Sequence, residues 1–180
     1  MLNRAMIKKI QIKNDAFYEF NQDDLAVYPA HGVGKINGIE NRSINGEPIV
    51  FYIMQILESS MIIMIPIRNA KTIGLRPVID KNEIPKIYNA IKVQKPAQIN
   101  GMTWNRRYRD YMDKIKTGSL YGVAEVFSEL YSLTSSKELA FGERKMLDMV
   151  QELLIKEISV VKNIDEQKVM KELSVLFEDS

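Results

Sequence analysis

Val33-Gly34-Lys35-Ile36-Asn37-Gly38-Ile39 and Ile49-Val50-Phe51-Tyr52-Ile53-Met54-Gln55-Ile56-Leu57 stand on either side of the dipeptide Asn45-Gly46. Two β-rich runs around Asn-Gly are the strongest short-range hairpin signal, because both residues accept the positive φ of a tight primed turn. Working outward, Leu25-Ala26-Val27-Tyr28 supplies a strand before this hairpin and residues 61–65 supply one after it. Pro29-Ala30-His31-Gly32 and Glu58-Ser59-Ser60 are the turns between them. Short strands at this spacing predict a small, strongly curved sheet or barrel over residues 20–75.

Past Arg76-Pro77 the periodicity becomes helical. Asp80 or Asn82 can cap a short helix that places Pro85 in its first turn, where a missing N–H costs little. Residues 92–101, with Lys95-Pro96 and Asn100-Gly101, read as a linker, so 76–102 is taken as short helix plus linker. Helices are predicted over 103–116, 119–133, 141 or 142 to 162, and 165–177. In the third, Met146, Leu147, Met149, Val150, Leu153, Leu154 and Ile158 recur at helical spacing. The predicted fold is α+β. It has an N-terminal extension over 1–19, a β domain over 20–75, and an all-helical bundle over 103–180.

Composition narrows the chemistry. The chain has no cysteine, which excludes disulfides, a thiol nucleophile and a thiolate zinc site together. With a single histidine, His31, neither a histidine-rich metal site nor a serine triad around Ser59-Ser60 or Ser135-Ser136 finds partners. Asp23-Asp24 is the densest acidic pair, and no EF-hand spacing occurs. Gly32-Val33-Gly34-Lys35 fits neither phosphate-loop template and lies between two strands, where a turn is the simpler reading. Neither a catalytic constellation nor a cofactor or metal is expected. The longest apolar run, residues 61–67, is strand length, and no apolar stretch follows the basic start, so a cytoplasmic protein without a membrane span is expected.

Charge is divided unevenly. Residues 1–100 hold 13 Lys/Arg against 9 Asp/Glu, and residues 101–180 hold 12 against 14. Any nucleic-acid contact in the second half must therefore come from a local patch. Thr103-Trp104-Asn105-Arg106-Arg107-Tyr108-Arg109 contains the only tryptophan and three arginines at a helix start. On a helix Trp104 shares a stripe with Tyr108, Tyr111, Met112 and Ile115, while Arg106 and Arg109 lie broadly opposite. Two readings follow from this pattern. Trp104 is a core residue, with Arg106–Asp110 and Arg109–Asp113 pairing along the helix. Alternatively, the arginines grip phosphates and the ring is offered to DNA as a wedge. Gly142-Glu143-Arg144-Lys145-Met146-Leu147 adds a second basic pair at another helix start.

Phe20-x-x-x-Asp24-Leu25-Ala26-Val27-Tyr28-Pro29-Ala30-His31-Gly32-Val33-Gly34 resembles the opening of the polymerase-interacting domain of the CarD/CdnL family. Ile65-Pro66 with Asn69-Ala70 resembles the end of its sheet. Thr103-Trp104-x-Arg106-Arg107-Tyr108, Val123-Ala124-Glu125-Val126 and Gly142-Glu143-x-x-Met146-Leu147 resemble its helical domain, in the same order. The resemblance implies a Tudor-like β domain that binds the β subunit of bacterial RNA polymerase. It also implies a helical domain that contacts promoter DNA, largely without sequence specificity, at the upstream edge of the −10 element. A tryptophan wedge there stabilises the open promoter complex. On this chain the DNA-facing positions fall on Trp104, Arg106, Arg107, Arg109, Arg144 and Lys145. The polymerase-facing ones fall on Arg42, Ile63, Met64, Ile65 and Pro66. A monomeric, nucleoid-associated regulator is expected. The competing expectation is a β-barrel adaptor for protein or RNA with a purely structural bundle. Two positions depart from the family pattern: Asp23 stands where a glycine is usual, and Met64 stands where some members carry arginine.

Overall fold

The computed structural model describes residues 20–93 and 101–178. The expected extension over 1–19 and most of the expected linker lie outside them. Five strands form one antiparallel sheet: β1 (Leu25–Tyr28), β2 (Gly32–Ile44), β3 (Glu47–Ile56), β4 (Ile62–Pro66) and β5 (Arg76–Pro77), in the order β4-β3-β2-β1-β5. The Asn45-Gly46 turn closes the β2–β3 hairpin with both residues at positive φ, 53° and 84°, as a primed turn requires. The hairpin runs further than its apolar pattern: Ile44 pairs with Glu47 at the tip, although residues 40–48 are exposed.

Midway along β2, the register shifts between Ile36 and Gly38. The extra residue, Asn37, makes a bulge that bends and twists the sheet. Alternation along β3 then sends Tyr52, Met54 and Ile56 inward, where they pack with Ala26, Ile36, Ile65, Ala70 and Leu75. Gly34 serves this packing, since a Cβ there would stand 2.6 Å from Met54 Cε and 2.8 Å from the Gln55 carbonyl. The glycine-rich stretch is thus part of a strand.

One strand departs from expectation. After the single turn α1 (Ala70–Ile73), Gly74 takes φ 84° and returns the chain, so that Arg76 and Pro77 pair with Val27 and Ala26. A two-residue strand containing proline has no periodicity to read, and proline is tolerated there because β5 is an edge. The sheet therefore extends past residue 75.

The helices are α2 (Ile84–Lys92), α3 (Trp104–Lys116), α4 (Leu120–Thr134), α5 (Phe141–Lys162) and α6 (Glu166–Glu178). Asp80 accepts a hydrogen bond from the Asn82 N–H at 2.8 Å ahead of α2, and Pro85 sits in its first turn. The apolar stripes of all five helices meet in one core that includes Ile87, Ile115, Val126, Leu130, Leu154, Ile158, Val169 and Leu173.

The two cores are joined through α5. The Arg76 guanidinium donates to both carboxylate oxygens of Glu157, at 2.6 and 2.9 Å, and to the Gly118 carbonyl at 2.6 Å. The Ile79 N–H also donates to Glu157, at 2.9 Å. Leu153 abuts Gly32, and Pro29 lies against Gly74 and Gly118, so that a Cβ at any of the three would stand only 3.0–3.2 Å from its neighbour. Lys156 pairs with Glu58 from the β domain at 2.5 Å and with Glu166. This joint is desolvated and polar at its centre.

Candidate functional site

Trp104 is the first residue of α3, with Thr103 at the N-cap position. Its indole is half-buried and packs against the helical core. It is seated on Gly142, the second residue of α5: an added Cβ there would lie 2.9 Å from Nε1, 3.0 Å from Cε2 and 3.1 Å from Cζ2. Glycine at 142 is therefore a requirement of the neighbouring ring rather than of backbone φ. Tyr108 and Tyr111 meet the indole edge-on, at 5.7 and 6.5 Å between centroids.

The Arg107 guanidinium lies 5.4 Å from the indole centroid, within cation–π range. Its Nη2 donates to Glu143 at 2.5 Å, while Nε and Nη1 have no hydrogen-bond partner among the described residues. Arg107 is 7% exposed and Glu143 2%. Glu143 also accepts from Lys137 at 2.8 and 2.9 Å and from the Ala140 N–H at 3.0 Å. Burial alone would raise its pKa. The hydrogen bonds from Lys137, Arg107 and Ala140 outweigh burial and hold the carboxyl at about 2. One ionised carboxylate thus ties α3, α5 and the loop before α5 together beneath the tryptophan.

This geometry divides the expected DNA-facing residues. Arg106, Arg109, Arg144 and Lys145 are exposed, and Trp104 is half-exposed among them. Arg107 differs, because its guanidinium is committed to Glu143 and the indole inside the junction. The expected i,i+4 pairs are absent among the described residues. Arg109 instead reaches back to the Asn105 carbonyl at 3.3 Å, and Arg106 has no acidic partner there. Trp104 is accordingly neither a fully enclosed core residue nor a free side chain; it is a braced ring with an open edge.

Two residues escaped the sequence reading. Glu143 was read only as part of a basic helix start, yet three residues after Ala140 it accepts that residue's N–H, the glutamate half of a capping box. Phe141, the first residue of α5, is 76% exposed, with Lys145 Nζ 4.7 Å from its ring centroid.

The second expected surface lies on the sheet's opposite edge. Among the described residues β4 pairs only with β3, so its other side offers backbone groups without a strand partner there. Along it Ile62 (63% exposed) and Met64 (36%) point outward, Ile65 is fully in the core, and Ile63 and Pro66 are half-buried. Of the expected polymerase-facing set, Met64 is exposed, Ile65 is not, and Ile62 joins it by strand alternation. Arg42 is exposed near the hairpin tip, its Nε and Nη2 both held by Glu40 Oε2 at 2.9 and 2.7 Å.

Two family models cover these two surfaces. The CarD-like/TRCF RID domain matches residues 20–79, the whole five-stranded sheet, and the CarD C-terminal domain matches residues 86–174, the helical bundle. The chain belongs to the CarD family. "Putative transcription factor YdeB" of Bacillus subtilis (strain 168) is 34% identical over 150 residues, which is 83% of this chain and 97% of that protein. A solved structure titled "CdnLNt from Myxoccoccus xanthus" is 42% identical, covers 37% of this chain and 94% of its own, and superposes with a TM-score of 0.31. The α+β organisation, with an RID domain ahead of a helical domain, is thus that of a CarD-family protein. Membership supports a role in transcription regulation, and an RNA polymerase-interacting domain supports binding to that enzyme. It also points away from catalysis. Among the described residues, no group of three or more His, Asp or Glu is placed to hold a metal ion, and no helix is long and apolar enough to cross a membrane.

Proposed function

We propose that this CarD-family protein docks on the β subunit of bacterial RNA polymerase through the β4 edge and stabilises the open promoter complex through Trp104. The observation that carries the reading is the construction around Trp104: a half-exposed indole, braced from below by Gly142, Arg107 and Glu143, with exposed cations at the starts of the two helices that meet there, Arg106 and Arg109 on α3 and Arg144 and Lys145 on α5. A rigid aromatic edge with cations around it has the chemistry of a minor-groove wedge, with phosphates held on both sides. None of these contacts reads a base edge in the major groove, so sequence specificity is low.

On the β domain, the open β4 edge with Ile62 and Met64 fits strand addition by a partner. Met64 makes that contact apolar where arginine would make it ionic. The helical half carries a net negative charge, so free DNA is held weakly. Docking on polymerase raises the effective concentration of the wedge at the promoter. The wedge favours an opened step over stacked duplex, and this differential affinity shifts the equilibrium toward the open complex. The protein acts as a monomer, since each surface is complete within one chain.

The test is the lifetime of an open complex formed by a bacterial RNA polymerase, with and without the protein. A lifetime lengthened roughly tenfold, the equivalent of about 1.4 kcal/mol, is expected with wild type and largely lost with Trp104→Ala. Polymerase binding without any change in lifetime would leave an adaptor, and absence of binding would overturn the reading.

A further inference from the structure

We propose that Phe141 is a second base-contacting residue, which stacks on an unpaired base of the opened promoter beside the step held by Trp104. This inference rests on the function proposed above and assigns to it a residue and a ligand, the exposed face of a single-stranded base. Phe141 is the most exposed large hydrophobic side chain among the described residues, at 76%. The helix does not need it there, because its neighbours Ala140 and Glu143 already make the cap and the core begins at Met146. The next residue, Gly142, is the seat of the indole.

The surroundings favour nucleic acid over an apolar protein partner. Lys145 lies over the ring at 4.7 Å, and Arg144 is exposed on the same turn. Arg106, near the start of α3, is exposed and has no acidic partner among the described residues. The nearby exposed acids, Glu138 and Asp148, lie on the preceding loop and nearly two turns further along α5. The other strongly exposed hydrophobic side chains among the described residues belong to other elements, and the one beside the Trp104 ring, Tyr108 at 45%, is itself an aromatic with a polar hydroxyl. A single aromatic ring attended by cations is how non-specific single-strand binders hold a base, with the ring taking the π-face and the cations the phosphates. Lys145 can move from the ring to a phosphate when the base arrives, so the ring face is shielded in the free protein and open in the complex.

The test compares wild type with Phe141→Ala, Phe141→Leu and Phe141→Tyr at low salt. One probe is a forked DNA carrying 2-aminopurine in its unpaired arm, and the other is the matching blunt duplex. Wild type and Phe141→Tyr are expected to quench the 2-aminopurine and to prefer the fork. Phe141→Ala and Phe141→Leu should lose that preference by roughly fivefold or more, with duplex affinity little changed. Because the side chain is exposed, circular dichroism should show all four proteins equally folded. Fork preference unaltered in Phe141→Ala, absent from wild type, or restored by leucine would overturn the assignment. Polymerase binding lost in Phe141→Ala would overturn it too, in favour of a protein contact. The proposed function fails separately, when wild type leaves the lifetime of the polymerase open complex unchanged.

Discussion

Replacing Gly142 by alanine should move Trp104 without touching it covalently. Carbon atoms pack best at about 3.5–4.0 Å, and the new methyl would sit 2.9, 3.0 and 3.1 Å from three indole atoms. The ring must retreat by about 0.5–1 Å, which also loosens its contact with Arg107. Overpacking of this kind costs about 1–3 kcal/mol, while alanine gains back up to about 1 kcal/mol of helix propensity. The balance is a destabilisation of about 0–2 kcal/mol, or a Tm lowered by up to roughly 8 °C for a chain of this size. Trp104 is the only tryptophan, so the intrinsic emission spectrum reports this one site, and a red shift with reduced brace contact is expected. Open-complex lifetime should fall toward that of Trp104→Ala even where the fold survives. Gly38→Ala is the control, because nothing lies within 4 Å of a Cβ there. A Gly142→Ala protein that is more stable and has unchanged emission would refute the seating of the indole on Gly142.

Three further outcomes follow from the same structure. Glu143 is held near pKa 2 in the fold, below its ordinary value of about 4.3. Its contribution is therefore complete above pH 4.3 and is lost as pH falls toward 2; urea midpoints should decline across that window in wild type and much less in Glu143→Gln. Arg76→Ala leaves the Glu157 carboxylate buried without its cation, which should cost about 3–5 kcal/mol in equilibrium unfolding. Arg76→Lys should recover only part of this, since a point charge cannot replace the two-pronged contact. Asp23 holds φ 73° and pairs with Lys35 at 2.6 Å on the surface. Asp23→Gly relieves about 1 kcal/mol of backbone strain and gives up a surface pair worth about as little, so thermal stability should stay level or rise, whereas Asp23→Val should lower it.

The elements most legible in the sequence were those with a strong period or a strong turn. Asn45-Gly46 announced the hairpin, and the helices over Trp104–Lys116 and Phe141–Lys162 begin and end within a residue of the predicted bounds. β5 was illegible because two residues have no period; tertiary pairing with Ala26 and Val27 makes them a strand. The same distinction applies to the candidate site. The cluster of Trp104 with three arginines was visible as composition, but periodicity could not separate Arg107 from Arg106 and Arg109. That separation is made by Glu143, which lies 36 residues further along the chain. Asp23, the departure from the family's glycine, was explained only by the backbone: it occupies the left-handed conformation that glycine would adopt there, and a short polar side chain is the next most tolerant choice.

The helix α5 gives the two proposed contacts a mechanical relation. The sixteen residue steps from Phe141 to Glu157 rise about 24 Å, with the aromatic end at one tip and the Arg76 joint toward the other. A tilt of about 10° at that joint would swing the tip by about 4 Å, slightly more than the 3.4 Å between successive bases of a strand. At the proposed DNA contacts, angular play at the joint would become a register error. On this view the buried Arg76–Glu157 pair serves aim as much as stability, and a softened joint would leave both surfaces intact while the wedge reached for the wrong step.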